Sequence, residues 1–117
     1  MNTPLIIAFG SQITGRTNSK SDYDFGVFAE RAMSLSERTE LAHHISKKLN
    51  INEDKIDLVD LYSASPILKF EVARNGKLIE GSAFDFIRYK VHSFKEYNDT
   101  AKLRRIRENL ILQTNVA

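Results

Sequence analysis

Leu5-Ile6-Ile7-Ala8-Phe9-Gly10-Ser11 is followed, after ten residues, by Asp22-Tyr23-Asp24-Phe25-Gly26-Val27-Phe28-Ala29. Five consecutive apolar residues ending at a Gly-Ser pair predict a strand buried on both faces and then a sharp turn. Gln12 to Ser21 is rich in Thr, Gly, Asn and Ser with Arg16 and Lys20, which predicts a loop, or a short helix and then a loop. The second stretch alternates: Tyr23, Phe25, Val27 and Ala29 share one face, and Asp22, Asp24 and Gly26 the other. Acids at i and i+2 on a strand point to the same side, about 6.6 to 6.8 Å apart along the chain. On a sheet face without helices such a pair can hold two cations about 3.5 to 4 Å apart, or one Mg²⁺ together with a substrate hydroxyl.

A third carboxylate on a neighbouring strand, about 4.8 Å away, completes such a ligand set. Lys55 to Tyr62 predicts that strand and offers Asp57 and Asp60. Ile56 and Leu58 form its apolar side, so Asp57 falls on the polar side with Lys55 and is the better candidate, with Asp60 the alternative. Three like charges on one face raise one another's pKa unless a cation neutralises them, so the cluster implies a metal. Gly10 permits close backbone approach, and Ser11 offers a hydroxyl and an N–H to a phosphate oxygen. Arg16 or Lys20 can reach over a triphosphate. In chain order the pieces are an anion cradle, a basic loop and a metal-binding strand.

The remaining elements follow from local signals. Ser34-Leu35-Ser36-Glu37 is a capping box, and Leu35, Leu41, Ala42, Ile45 and Leu49 recur at helical spacing, which predicts a helix from Ser34 to about Leu49 with a stop at Asn50. Ser65-Pro66 places an N-cap before an N1 proline and opens a helix to about Arg74, broken by Asn75-Gly76. Lys77 to Glu80 predicts a short strand. Gly81-Ser82 is a break and cap before a long helix, Ala83 to about Gln113, whose apolar residues are Phe84, Ile87, Val91, Phe94, Leu103, Ile106 and Leu110. Its weakest section is Lys95 to Lys102. This order predicts an α/β (α+β) fold with a mixed sheet, helices mostly on one face and the other face open. A single domain is expected over residues 1–117, with a core at about 4–81 and a C-terminal helical segment at about 82–114.

Composition narrows the function classes. A chain of 117 residues with 42% apolar and 27% charged residues has the values of a globular domain. It has no cysteine, which removes disulfides, thiolate metal sites and cysteine nucleophiles. The longest apolar run, Leu5 to Phe9, is far below the roughly 20 residues of a membrane span, so the chain reads as cytoplasmic, without membrane contact. Residues 1–68 carry seven Lys or Arg against nine Asp or Glu, and residues 69–117 carry ten against six. The basic run Lys102 to Arg107 reads first as a solvated face, then as a contact for an acidic partner, and last as a nucleic-acid contact. Leu103, Ile106 and Leu110 form a stripe on a helix longer than so small a sheet covers, which suits a partner helix or a second copy of the chain. His43, His44 and His92 have no obvious ligand spacing and receive no role.

Gly10-Ser11 followed by Asp22-x-Asp24 resembles the signature of the polymerase-beta-like nucleotidyltransferase superfamily, and the small size resembles its minimal branch. Ile56 to Pro66 and Lys77 to Gly81 resemble the second half of antitoxins in that branch that are encoded beside HEPN-domain RNase toxins. The likeness runs from about Leu5 to Gly81 and more loosely into the final helix. The resemblance implies the polymerase-beta-like nucleotidyltransferase fold and AMP transfer from ATP, with Mg²⁺, onto a toxin tyrosine, which silences the toxin. It implies that Gly10 and Ser11 contact nucleotide phosphate, that Asp22 and Asp24 are the paired metal ligands, and that Asp57 is the third carboxylate, as ligand or base. Where the family begins with a helix before its first strand, only Met1 to Pro4 precede Leu5 here. Two other functions are weighed: an antitoxin that neutralises by binding alone over a vestigial nucleotide site, and a small-molecule nucleotidyltransferase.

Overall fold

Four strands form one mixed sheet in the computed structural model, which describes residues 4–10 and 22–115. They are β1 (Leu5–Phe9), β2 (Tyr23–Phe28), β3 (Ile56–Asp60) and β4 (Lys77–Glu80), in the spatial order β3-β2-β1-β4. β1 is antiparallel to both β2 and β4, whereas β2 and β3 run parallel. Leu5, Ile6, Ile7 and Ala8 are all buried because β1 is an inner strand covered on both faces. This is the environment that an unbroken apolar run requires.

The helices start where the side chains can cap them. α1 (Leu35–Leu49) opens on Ser34, whose Oγ accepts from the Glu37 N–H at 3.1 Å while Glu37 Oε1 accepts from the Ser34 N–H at 2.9 Å. It ends on Asn50 in the left-handed region, φ 56°. α2 (Pro66–Asn75) has Ser65 as its cap, accepting from the Leu68 N–H at 3.2 Å, and stops at Gly76. α3 (Ala83–Asn115) begins where Ser82 Oγ accepts from the Asp85 N–H at 3.0 Å.

Both sheet faces are covered, which corrects the expectation of an open one. Ile6, Ala8 and Phe25 pack against Ile45 of α1, with Leu41, Leu49, Leu58 and Ile79 around them. On the opposite face Leu5, Ile7 and Leu61 pack against Val72 and Ala73 of α2 and Phe86 and Tyr89 of α3. Two of the three helices thus share one face. The physical reason is that β1 has apolar residues at every position, so each face needs a cover. The room left for polar chemistry is an end of the sheet rather than a face of it.

α3 turns an unexpected side inward. Its buried line is Phe86, Tyr89 and Ser93, while Phe84, Ile87, Val91 and Phe94 are exposed. The Tyr89 hydroxyl donates to the Lys69 carbonyl at 2.9 Å, and burial pushes its pKa up to about 12. Further along, Tyr97 stacks on Phe70 of α2 with ring centroids 4.0 Å apart. The Arg104 guanidinium lies 3.9 Å over the Tyr97 ring and donates to the Tyr97 carbonyl at 3.0 Å. This brace carries the helix unbroken through Lys95 to Lys102. Among the described residues no helix is long and apolar enough to cross a membrane.

Candidate active site

The acids meet where β2 and β3 begin. The parallel register sets Asp24 beside Asp57, Gly26 beside Val59 and Val27 beside Asp60. Asp24 shares its side of the sheet with Gly26 and Phe28, so the pair faces the layer of α2 and α3, at the end those helices leave free. Asp22 lies one residue before β2, exposed, and by the same alternation on the Asp24 side.

Electrostatics follow this placement. The Asp24 carboxyl is raised above the ordinary carboxylate range, first by burial, then by the charge of Asp57 and a hydrogen bond with it, and lastly by Asp22. Two carboxyls that hydrogen-bond need a proton between them, so this end of the sheet carries more negative charge than it can neutralise. An all-oxygen donor set suits a hard cation such as Mg²⁺. Among the described residues no three acidic or histidine side chains are already gathered as a metal-holding group. Asp24 and Asp57 are joined, and Asp22 stands apart by one step along the strand.

Gly10 closes the other side. It leaves β1 with φ +89°, a conformation natural to glycine, and a Cβ at this position would overlap Asp24 Oδ2. The Gly10 backbone therefore runs directly against the Asp24 carboxylate. Ser11, Arg16 and Lys20, the other residues expected to meet phosphate, lie outside the described residues.

Asp60 has a different occupation. Its Oδ2 accepts from the Met33 N–H at 2.9 Å and its Oδ1 from the Tyr62 N–H at 3.0 Å, on the face of α1. The carboxylate ties the segment before α1 to the end of β3 and shapes the turn that leaves that strand. Geometry thus separates the two candidates for the third acid: Asp57 stands beside Asp24, and Asp60 braces the chain. The histidines of α1 are hydrogen-bonded at the surface, His43 with Glu53 at 3.1 Å and His44 with Glu80 at 2.7 Å.

Sequence reasoning did not single out the cleft of about 170 Å³ beside the acids. Ala8, Tyr23, Phe25, Leu49, Ile51 and Ile79 form apolar walls, with Asp24 and Lys77 also lining it. Its walls come from four separate stretches of chain, so no local pattern announces it.

Comparison with known proteins agrees with this geometry. A family model described as "Polymerase beta, Nucleotidyltransferase" matches residues 2–84. The chain belongs to that family. A relative, the protein adenylyltransferase MntA of Aphanizomenon flos-aquae (strain 2012/KM1/D3), is 33% identical over 97 residues, covering 74% of this chain and 65% of the relative. The chain therefore spans slightly less than two thirds of that relative's length. Among solved structures, a toxin–antitoxin with AMP-PNP superposes with a TM-score of 0.73 at 30% identity, covering 95% of this chain and 89% of the other. A tri-AMPylated Shewanella oneidensis HEPN toxin in complex with MNT antitoxin gives 0.65 at 29% identity, over 95% and 86%. The polymerase-beta-like nucleotidyltransferase fold that the resemblance implied is the one found.

Proposed function

We propose that this chain is an adenylyltransferase that moves AMP from ATP to a tyrosine of a HEPN-family RNase toxin and so acts as its antitoxin. The observation that carries this is the pairing of Asp24 with Asp57 across parallel strands, with Asp22 two residues back and Gly10 against Asp24. Relatives named adenylyltransferase and neighbours solved with an AMPylated toxin or an ATP analogue support the choice of nucleotide and acceptor.

In this scheme Asp22, Asp24 and Asp57 hold Mg²⁺, which when bound supplies the positive charge that offsets the carboxylates and the triphosphate. Gly10 and Ser11 present backbone N–H groups to phosphate oxygens, and Arg16 and Lys20 add positive charge there. Asp57, beside Asp24 in the parallel register, stands where it can act as the proton acceptor. The tyrosine oxygen attacks the α-phosphorus, a new O–P bond forms, the bond to the β-phosphate oxygen breaks, and pyrophosphate leaves. The phenolic proton passes to Asp57. The product is an AMP ester of the toxin tyrosine.

Intact-mass spectrometry of the neighbouring gene's product, incubated with this chain, ATP and Mg²⁺, tests the proposal. A mass gain in AMP units that disappears with Asp22→Asn supports it. No gain while the two proteins still co-elute replaces it with neutralisation by binding alone.

A further inference from the structure

α3 presents an apolar line that is largely uncovered among the described residues: only its last member, Phe94, meets another element, edge-on against Phe70 of α2 with ring centroids 5.4 Å apart. Phe84, Ile87, Val91 and Phe94 are 69%, 57%, 62% and 37% exposed. Their spacing of three, four and three residues places them within an arc of about 80° on the helix surface. This is the pattern by which one helix receives another along a seam. The inward face of the same helix is already used by Phe86, Tyr89 and Ser93, so the line cannot turn to the sheet without giving up that packing.

Charge decides what fits there. Continuing along the same line, α3 carries Lys95, Lys102 and Arg105, all exposed and none in an ion pair among the described residues. The acids of α3, Asp85, Glu96, Asp99 and Glu108, fall outside that arc. A second copy packed parallel would bring cations against cations, and one packed antiparallel would lay Lys102 and Arg105 on the other copy's Ile87 and Phe84. A nucleic-acid backbone would match the charge and leave four large apolar side chains in water. A helix with an apolar seam and acidic residues further along it satisfies both halves.

We propose that this face of α3 docks an amphipathic helix of a partner protein whose seam is apolar and whose adjoining residues are acidic. Under the function proposed above, on which this inference rests for its partner, that helix belongs to the toxin. The docking face is a different surface from the acid end of the sheet, so binding and transfer separate experimentally.

The test compares the full chain with Ile87→Ser/Val91→Ser and with Lys95→Glu/Lys102→Glu/Arg105→Glu, after thermal melts show each to be folded. Affinity for the neighbouring gene's HEPN protein is measured by calorimetry at low and moderate salt, and AMP transfer by intact mass. Both variants are expected to bind at least tenfold more weakly, with wild-type affinity falling as salt rises. Transfer by the variants should recover when the toxin is in excess, a change in KM rather than kcat. Affinities within twofold of wild type for both variants overturn the docking face while transfer, if intact, leaves the catalytic proposal standing. Lost binding in the variants without AMP transfer by wild type does the reverse. A wild type that does not bind, a dimer broken by the stripe variant, or RNA binding lost in the charge variant with toxin affinity unchanged also overturns it.

Discussion

Gly10 stands so close to Asp24 that a methyl group in place of its hydrogen would overlap Asp24 Oδ2 and come within 3.3 Å of Cγ. Gly10 at the end of β1 and the acid on β2 are thus one fitted unit. Under the proposed function, the residue that meets phosphate and the ligand of the cation share a wall.

Gly10→Ala is therefore expected to act twice. The left-handed backbone at φ +89° becomes strained for any other residue, a cost of about 1–3 kcal/mol seen in thermal melts. The displaced carboxylate should lower AMP transfer by about 100-fold, since misplacement near 1 Å has effects of that size. A variant with the wild-type rate would show that the position of Asp24 does not limit transfer.

Asp57 and Asp60 should respond in opposite ways. Asp57→Asn removes an exposed side chain and is expected to leave melting almost unchanged while abolishing transfer. Asp60→Ala strands two backbone N–H groups, of Met33 and Tyr62, and should destabilise the fold by about 1–3 kcal/mol with transfer per folded molecule retained. The same melts and mass measurements, run on both variants, check the pair. Loss of transfer in the Asp60 variant with a normal melt would exchange their roles.

Asp24→Asn should stabilise the protein at pH 7 when Mg²⁺ is absent. A carboxyl whose pKa is raised on folding is protonated more readily in the native state, so its ionised form costs stability as pH climbs above the ordinary carboxylate value. Asn stays neutral and can still donate to Asp57. The two proteins should therefore melt together near pH 3 and diverge towards neutrality, with the variant higher. A wild type that melts higher at pH 7 without Mg²⁺ would contradict this balance. Adding Mg²⁺ and ATP should raise the melting of wild type alone.

Glu37 gives a shift of opposite sign. Its carboxylate receives both guanidinium N–H groups of Arg31 at 2.7 Å and the Ser34 N–H at 2.9 Å, which lowers its pKa to about 2, the Arg31 bond being the largest cause. A lowered carboxyl contributes its stability fully above about pH 4.5 and loses it as pH falls towards 2. Glu37→Gln keeps an oxygen for the Ser34 N–H and loses the ion pair, so the variant should melt slightly lower at pH 7 in low salt and match wild type near pH 2. Because Arg31 and Glu37 are exposed, salt should shrink the difference.

Much of this structure was legible because its signals are local. Ser34 with Glu37 marks the start of α1, and Ser65 before Pro66 marks α2, since a cap depends on residues three apart. Alternation along β3 singled out Asp57, because a period of two ties each side chain to a face. The sides of α3 were not legible. Ser93 is polar yet buried, and Phe84 and Val91 are apolar yet exposed. The rotation of that helix is set by Tyr97 against Phe70 and by Tyr89 against the Lys69 carbonyl, contacts with α2 that no spacing within α3 encodes. The cover on the second sheet face escaped for a similar reason, since α1 reaches it only through the crossover between parallel strands.

That crossover also gives the site a history within each molecule. Gly10 and Asp24 lie at the end of β1 and on β2, with Asp22 just before it, and come together as soon as β1 finds β2, whereas Asp57 arrives only when the long α1 connection has closed. A ribosome that has just exposed the first hairpin holds two acids and no third. Under the proposed function, transfer therefore waits for the parallel pairing of β2 with β3 and not merely for the first two strands.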